Sequence, residues 1–557
     1  MIYYRRSLFI APAIWLGTLI VSTLGVRGEQ APAAPVATRA SQAPATDMFA
    51  LSSDCIACHN NLVSPAGEDV SIGANWRGTM MANSARDPYW QASVRRETMD
   101  HPSKAAEIED ECATCHMPAA QKAARAGGGK GEVFAHLPIN RRAGKSPMDA
   151  LAAEGVTCTV CHQIAPDRLG TRDSFNGNFT VAKALADGTR QAFGSFEADA
   201  GRHRIMRSVS GFQQTLAPHI RESELCASCH TLITEALSPD GRVIGSLPEQ
   251  MNYQEWRHSA FAGEKRSCQS CHMPIVDGPV RVASVLGDYR GSLSQHAFVG
   301  GNAFMLRLMN RFRAELGVDA TSAELEAMAR ATVRQIETQT ATVTIENATQ
   351  SNGQLALDVA VKNLTGHKFP TGYPSRRSWL HVTVRGADGR VVFESGALTP
   401  RGSIDGNDND LNAATFEPHY EEITRADQVQ IYESILGSPA GAPTTGLLQA
   451  TQYLKDNRLL PRGFDKTTAA AEIAVFGNAA GDADFTAEGD RVRYRIAVNT
   501  SGPLTIEVEL RYQPIGFRWA QNLAGYNAAE PKAFLNYYDS VAPSSSLVAG
   551  RATRRIP

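Results

Sequence analysis

The chain has 557 residues, 43% hydrophobic and 20% charged, with 46 glycines and 28 prolines. That is too long for one ordinary domain and too apolar for disorder, so two or three folded units are expected. Its 55 Lys+Arg against 57 Asp+Glu leave a formal charge of −2, without the basic excess that drives nucleic-acid binding, and that class of partner is set aside.

At the N-terminus, Arg5 and Arg6 precede an uncharged run from Ser7 to Val26, followed by Arg27, Gly28 and an Ala/Pro-rich stretch. This pattern predicts an export signal over 1–28 and a flexible linker over 29–48. The run is also just long enough to cross a bilayer, so an uncleaved anchor is the alternative. Either reading places the rest of the chain outside the cytoplasm, in the periplasm or at the surface of a bacterium.

The ten cysteines then fall in five pairs, each with two residues between and histidine after: Cys55, Cys58 and His59; Cys112, Cys115 and His116; Cys158, Cys161 and His162; Cys226, Cys229 and His230; Cys268, Cys271 and His272. C-x-x-C-H is the attachment signature of c-type haem. Two thiols add to the vinyl groups of one porphyrin edge, and the adjacent imidazole reaches the iron as its proximal ligand. Zinc ribbons would pair the motifs two by two, and five is odd. A thioredoxin-like redox pair needs no following histidine, and disulfides in an exported chain would not explain it either. Five covalent haems are therefore expected.

Five cofactors between Cys55 and His272 leave little polypeptide for a core around each one. The segment 49–301 is expected to be a haem-packed cytochrome domain of short helices and long loops. Gly127 to Gly131 reads as a turn rather than a phosphate cradle. Helical spacing follows over 302–339, in Phe304, Leu308, Phe312 and Leu316, then Leu325, Met328, Ala329, Val333 and Ile336. From 340 to 513 the period is two: Leu355 to Val361, Leu380 to Val384, a turn at Asp388-Gly389, Val492 to Val498 and Leu504 to Tyr512. This predicts a cysteine-free antiparallel β-sandwich. The tail, 514–557, reads as helical and fraying after Pro543. The fold class is thus α+β and multidomain.

Nine histidines lie outside the motifs, enough for mostly bis-histidine coordination. His296, in a small-residue loop, and His367, in a Gly/Pro-framed loop, are the leading distal-ligand candidates, because a rigid loop can present an imidazole to a neighbouring segment. His258, His219, His136 and His203 follow, each competing with an ordinary half-buried histidine. His381, on a strand, reads as structural. The stretch Trp76-Arg77-Gly78-Thr79-Met80-Met81-Ala82 echoes Trp256-Arg257-His258-Ser259-Ala260-Phe261-Ala262. Met80 or Met81, with Met81 the stronger candidate, could therefore be an axial thioether, against the alternative of core filling.

The chain resembles the multihaem c-type cytochromes of the superfamily that includes cytochrome c-554 and hydroxylamine oxidoreductase. The resemblance spans roughly 50–515. It is carried by the five motifs, the Cys-His-Met-Pro endings at 115–118 and 271–274, the approach Glu154-Gly155-Val156-Thr157-Cys158, and Tyr253-x-Glu255-Trp256. It is similar in particular to exported cytochromes with an appended β domain containing Gly366-His367-x-Phe369-Pro370-Thr371-Gly372. No C-x-x-C-K site exists, and the haem count is below that of hydroxylamine oxidoreductase, so the pentahaem nitrite reductase and hydroxylamine oxidoreductase activities are not implied.

The leading expectation is an electron-transfer protein working between periplasmic or membrane redox partners. The first alternative is an oxidoreductase with one open haem acting on a small nitrogen or sulfur compound, and its catalytic residues are not identified. The second is a docking role for the β domain, towards a redox partner or another copy of the chain. Two lesser signals remain. Asp405, Asn407, Asp408, Asn409 and Asp410 offer oxygens suited to Ca²⁺ but lack the glycine and glutamate of a calcium loop, so a solvated acidic turn is preferred. Glu417-Pro418-His419-Tyr420-Glu421 reads equally as acid–base groups near a haem or as a surface loop.

Overall fold

The computed structural model describes residues 45–139, 146–498, 500 and 502–557. The export signal over 1–28 and most of the 29–48 linker lie outside the described residues. Among the described residues, no helix is long and apolar enough to cross a membrane.

The described residues fall within one compact unit that mixes helices and sheets. In the motif segment most helices are a single turn or two: Ser52–Ile56, Cys158–Cys161, Ser223–Ala227 and Cys268–His272. Two longer ones pack against each other, α1 (Pro88–Asp100) and α2 (Ala105–His116). Asp87 starts α1 by accepting from the backbone N–H groups of Tyr89 and Trp90, with Pro88 at the first helical position.

The predicted helical region is α3 (Ala303–Arg311) and α4 (Ser322–Gln339). Asn302 caps α3 at Met305, and Thr321 and Glu324 close a reciprocal capping box on α4. Phe304, Leu308, Leu325, Met328 and Ala329 share a buried cluster with Phe534 and Tyr538 of α5 (Ala529–Val541).

The β region is two antiparallel-dominated sheets around one core. One sheet carries β1 (Ala341–Ser351), β2 (Gln354–Asn363) and β7 (Asp490–Ala497), with Glu422–Ile423 parallel at its edge. The other runs β5 (Ile431–Gly437), β3 (Arg377–Arg385), β8 (Leu504–Gln513) and β9 (Leu547–Ile556). In it β4 (Val391–Ser395) pairs with β3, β6 (Gln452–Asp456) with β5, and Pro443–Thr444 lies at the β5 edge. The period-two residues face inward: Leu357 opposite Tyr494, Val359 opposite Val492, Val382 opposite Val508 and Leu380 opposite Leu510.

Three expectations change. The tail does not fray: after α5 the chain forms β9, in register with β8 from Leu504↔Ile556 to Tyr512↔Leu547. The sandwich therefore extends beyond 513. The acidic turn at 405–410 is only partly solvated: Asp405 and Asp408 are exposed, whereas Asn407 and Asp410 are buried. Both Asp410 carboxylate oxygens are taken by Arg377 at 2.8 Å, and one also accepts from the Ile404 N–H. Glu417 and His419 are buried, which excludes the surface-loop reading.

Candidate functional site

In each C-x-x-C-H unit the histidine must stand on the same side as the two thiols. One helical turn does this, since residues i, i+3 and i+4 share a face. His59, His162 and His230 donate their backbone N–H to the carbonyls of Cys55, Cys158 and Cys226, each at 3.0 Å. None of the ten cysteines is in a disulfide. Thiols of different motifs meet instead: Cys55 with Cys158, Cys115 with Cys229, and Cys226 with Cys268. Cys161 stands close enough to Cys226 and Cys229 to feel their charge, which joins the third motif to the fourth. The five motifs are thus gathered into one contiguous group.

Three of the ten expected anchor thiols stand apart from those contacts. Cys112 packs against Ile108, Leu237 and Leu448, and burial pushes its thiol well up. Cys58 and Cys271, the second cysteines of the first and last motifs, are half-buried like the other eight, and among the described residues neither is brought against a thiol of another motif. Cys58 is instead fixed through its backbone, its carbonyl accepting from the Ser284 N–H at 2.8 Å and the Ser284 hydroxyl at 3.0 Å. The Cys271 sulfur lies 3.8 Å from both the Arg266 guanidinium and the Ser270 hydroxyl, on an exposed side of its helical turn.

Four of the five motif imidazoles are oriented by a backbone carbonyl at Nδ1. His59 uses Val282 at 2.7 Å, His116 uses Ser84 at 3.3 Å, His162 uses Phe193 and His272 uses Val299. A proton held at Nδ1 leaves Nε2 as the coordinating atom, the usual outer-shell device for a metal-binding histidine. Burial pushes His116 and His230 down to about 4, and it lowers His162 as well. Neutral imidazole is the form that binds metal.

Two of the predicted distal candidates stand across from motif histidines. The rings of His162 and His296 lie 6.2 Å apart at 17°, and those of His272 and His367 lie 6.3 Å apart at 13°. Two imidazoles on one metal, each with a bond of about 2.0 Å, place their ring centres about 6.2 Å apart. The residues present therefore fit a bis-histidine metal between each pair. His296 keeps Nδ1 on the Ser294 carbonyl at 3.2 Å and His367 on the Lys368 carbonyl at 2.9 Å. Burial pushes them down to about 3 and about 4.

The His367 loop is fastened to the motif segment by charges that the sequence reading did not single out. Glu255 accepts from the Lys368 N–H and the Thr371 hydroxyl and pairs with Arg458 at 2.9 Å. Lys368 reaches Asp456 at 2.8 Å, and Arg458 reaches the same carboxylate at 2.7 Å. All four charged side chains are buried. The signal available in sequence was Glu255 beside Trp256, in the Tyr253-x-Glu255-Trp256 segment.

The tryptophan echo has a structural meaning. Trp76 donates its indole N–H to the Val156 carbonyl at 3.0 Å and Trp256 to the Arg266 carbonyl at 2.8 Å. Each acceptor stands two residues before a motif, at Cys158 and Cys268. Thr79 and Ser259 repeat the same hydroxyl bond, each to its tryptophan's carbonyl at 2.7 Å. The echo thus anchors the approaches to motifs three and five. Met81 takes part through its backbone carbonyl, which accepts from Val156 N at 2.9 Å, and the imidazole facing His162 is His296. Met80 packs against the helical cluster of α3, α4 and α5.

The other candidates are placed differently. His219 gives Nε2 to the Ile164 carbonyl at 2.8 Å and lies edge-on to Phe193, and His258 gives Nε2 to the Asp465 carbonyl at 2.9 Å. His203 meets the Gln214 amide at 3.3 Å, on a helix that touches the Cys55 turn. His136 is buried with Nδ1 2.7 Å from Asp149. Among the described residues, no ring pairing joins His203, His219 or His258 to a motif histidine. His381 sits on β3 against Glu394 at 2.9 Å. His101, not singled out in the sequence, is 2% exposed with neither ring nitrogen partnered. It follows α1, eleven residues after the Trp90 ring that stacks on His116 at 4.5 Å.

No family model and no curated protein sequence matches the chain. Among solved structures, it is similar to a penta-haem cytochrome c552 from Thermochromatium tepidum, with 16% identity, a TM-score of 0.48, and coverage of 92% of this chain and 100% of that one.

Proposed function

We propose that this chain is an exported pentahaem c-type cytochrome that transfers electrons between periplasmic or membrane redox partners. The observation that carries the reading is the pair of facing imidazoles, His162/His296 and His272/His367, each built on a C-x-x-C-H unit. Covalently attached haem supplies one-electron chemistry, and closing both axial positions favours transfer over substrate binding. The protein's part is to hold the pieces. Ten cysteines anchor the porphyrins, Cys58 and Cys271 among them. Backbone carbonyls fix the ring tautomers, and meeting thiols from separate motifs bring macrocycle edges together. The Arg5/Arg6 segment supports export.

A second reading has a specific observation in its favour. Among the described residues, His59, His116 and His230 have no second imidazole paired across from them, and an open position at one of these three would make the chain an oxidoreductase acting on a small nitrogen or sulfur compound. The β region contributes His367 to the site, so a docking role, or self-association, would be additional to a structural one.

Low-temperature electron paramagnetic resonance of the purified protein, with a haem count of five, tests the proposal. His296→Ala and His367→Ala should each convert one low-spin ferric signal to high-spin. Unchanged spectra in both variants would remove the bis-histidine assignment. A high-spin fraction in the wild type that shifts with nitrite, hydroxylamine or sulfite would favour the oxidoreductase.

A further inference from the structure

His419, Asp482 and Asp490 converge at one end of the sandwich, where the loop before β7 meets the stretch preceding β5. One ligand atom from each lies within 4.8 Å of the others, and all three residues are buried. Asp484 joins them, its carboxyl touching that of Asp482. The Asp490 side chain is divided in its partners. Oδ2 accepts from the Tyr432 hydroxyl at 2.6 Å and the Gln430 amide at 3.2 Å. Oδ1 has no hydrogen-bond partner, although the residue is 3% exposed. It lies 3.8 Å from His419 Nε2, so it faces the cluster. Asp484 Oδ1 is likewise buried and unpartnered. Burying carboxylate oxygens without donors costs several kcal/mol unless a cation or a proton compensates. Burial, with Asp482 and Asp484 nearby and despite the Tyr432 bond, pushes Asp490 up to about 7.

The tautomer of His419 decides what kind of cation suits the cluster. Its Nδ1 receives the Gln430 amide N–H at 2.8 Å and the Asn457 amide N–H at 3.0 Å. Both amides are oriented by the backbone: Gln430 Oε1 accepts from the Tyr420 N–H, and Asn457 Oδ1 accepts from the Glu433 N–H while its Nδ2 donates to the Ile431 carbonyl. Nδ1 is therefore an acceptor, and the proton sits on Nε2, which donates to Asp482 Oδ2 at 3.0 Å. A nitrogen bearing that proton does not coordinate metal. What remains for a cation is oxygen.

We propose that Asp482, Asp484 and Asp490 form a binding site for a hard divalent cation, Ca²⁺, completed by water, with His419 outside the coordination sphere and positioning Asp482. Ca²⁺ takes six to eight oxygens in flexible geometry, and three carboxylates converging from a D-x-D loop and a strand start suit it better than a nitrogen-preferring ion.

The test uses the full-length haem-loaded protein, stripped with a chelator and titrated with Ca²⁺ or Zn²⁺ while heat uptake and the unfolding midpoint are followed. Wild type should bind one Ca²⁺ with a rise in midpoint that Asp490→Asn and Asp484→Asn both lose. If Asp490→Asn does not fold, the half-buried Asp484→Asn carries the comparison. Absence of a Ca²⁺ response in the wild type would overturn the proposal. So would an unchanged response in the folded variants, which would place the ion elsewhere, such as on haem propionates. Tight Zn²⁺ uptake abolished by His419→Gln would assign the site to nitrogen ligation and overturn it too.

Discussion

Glu255 shows how much of the His367 position depends on side chains that are not themselves ligands. Its carboxylate holds the Lys368 N–H and the Thr371 hydroxyl on either side of the loop and meets the Arg458 guanidinium, all inside the protein. Replacing Glu255 with Gln keeps the volume and removes the charge, leaving Arg458 with Asp456 shared between it and Lys368. The expected cost is about 3 kcal/mol, the scale for breaking a buried ion pair. It would be read as a lower denaturation midpoint, accompanied by a change in the low-spin signal attributed to His272/His367. The C-x-x-C-H units were legible because covalent spacing is local: two thioether anchors and one iron ligand sit within five residues. Which thiols would meet across motifs, and that Cys58 and Cys271 would stand outside those contacts, was not legible, since the spacing is the same in all five. The facing imidazoles were not legible as pairs either. His162 and His296 are separated by more than a hundred residues, and no spacing rule links a loop histidine to a particular motif. Their loops marked them as candidates without naming the partner. The tryptophan echo was visible as a repeat, yet its meaning, an indole bond two residues before a motif, is a tertiary contact.

Among the secondary elements, the sandwich strands whose buried faces alternate were readable, and β9 was not. Its sequence, Leu547-Val-Ala-Gly-Arg-Ala-Thr-Arg-Arg-Ile556, buries only Ala549 and Ile556, while Arg551, Arg554 and Arg555 are exposed. That is the pattern of an edge strand guarded by charge, which lacks the apolar alternation on which strand recognition depends. Its partner β8 is an interior strand with Ile506, Val508 and Leu510 fully buried. Truncation after Ser546 would remove nine paired residues. The loss should be on the order of 5 kcal/mol, at about 0.5 kcal/mol for each ladder hydrogen bond, the low end of the usual range. It would also leave β8 as an open edge. A fall in thermal midpoint together with concentration-dependent light scattering checks this, and a truncated protein as stable and monodisperse as the parent would contradict it.

For the whole molecule, a charged junction ties the His367 loop to both the motif segment and the sandwich, beside apolar contacts such as Leu247 with Leu436 and Ala450. Lys368, Asp456, Arg458 and Glu255 are buried together, and this network gives the molecule a pH-dependent component of stability. Burial alone would raise Asp456, but the Arg458 and Lys368 charges outweigh it and hold the carboxyl down at about 2. Burial also lowers the Lys368 ammonium, whereas Arg458, raised by Asp456 and Glu255 against the same burial, stays charged. Arg458 is therefore the dependable counter-charge. A carboxyl whose folded value lies below its unfolded value of about 4 stabilises the fold fully above that unfolded value. The contribution, about 2 kcal/mol, is lost as the pH falls from about 4 through 2, where protonation ends the ion pair. Asp456→Asn removes the titrating group without emptying its space. Its denaturant midpoint should lie below that of the wild type at pH 7, and the gap should narrow as the pH falls from about 4 towards 2. A gap that stayed constant over that interval would mean that the junction is held by shape and neutral hydrogen bonds, not by the charge on Asp456.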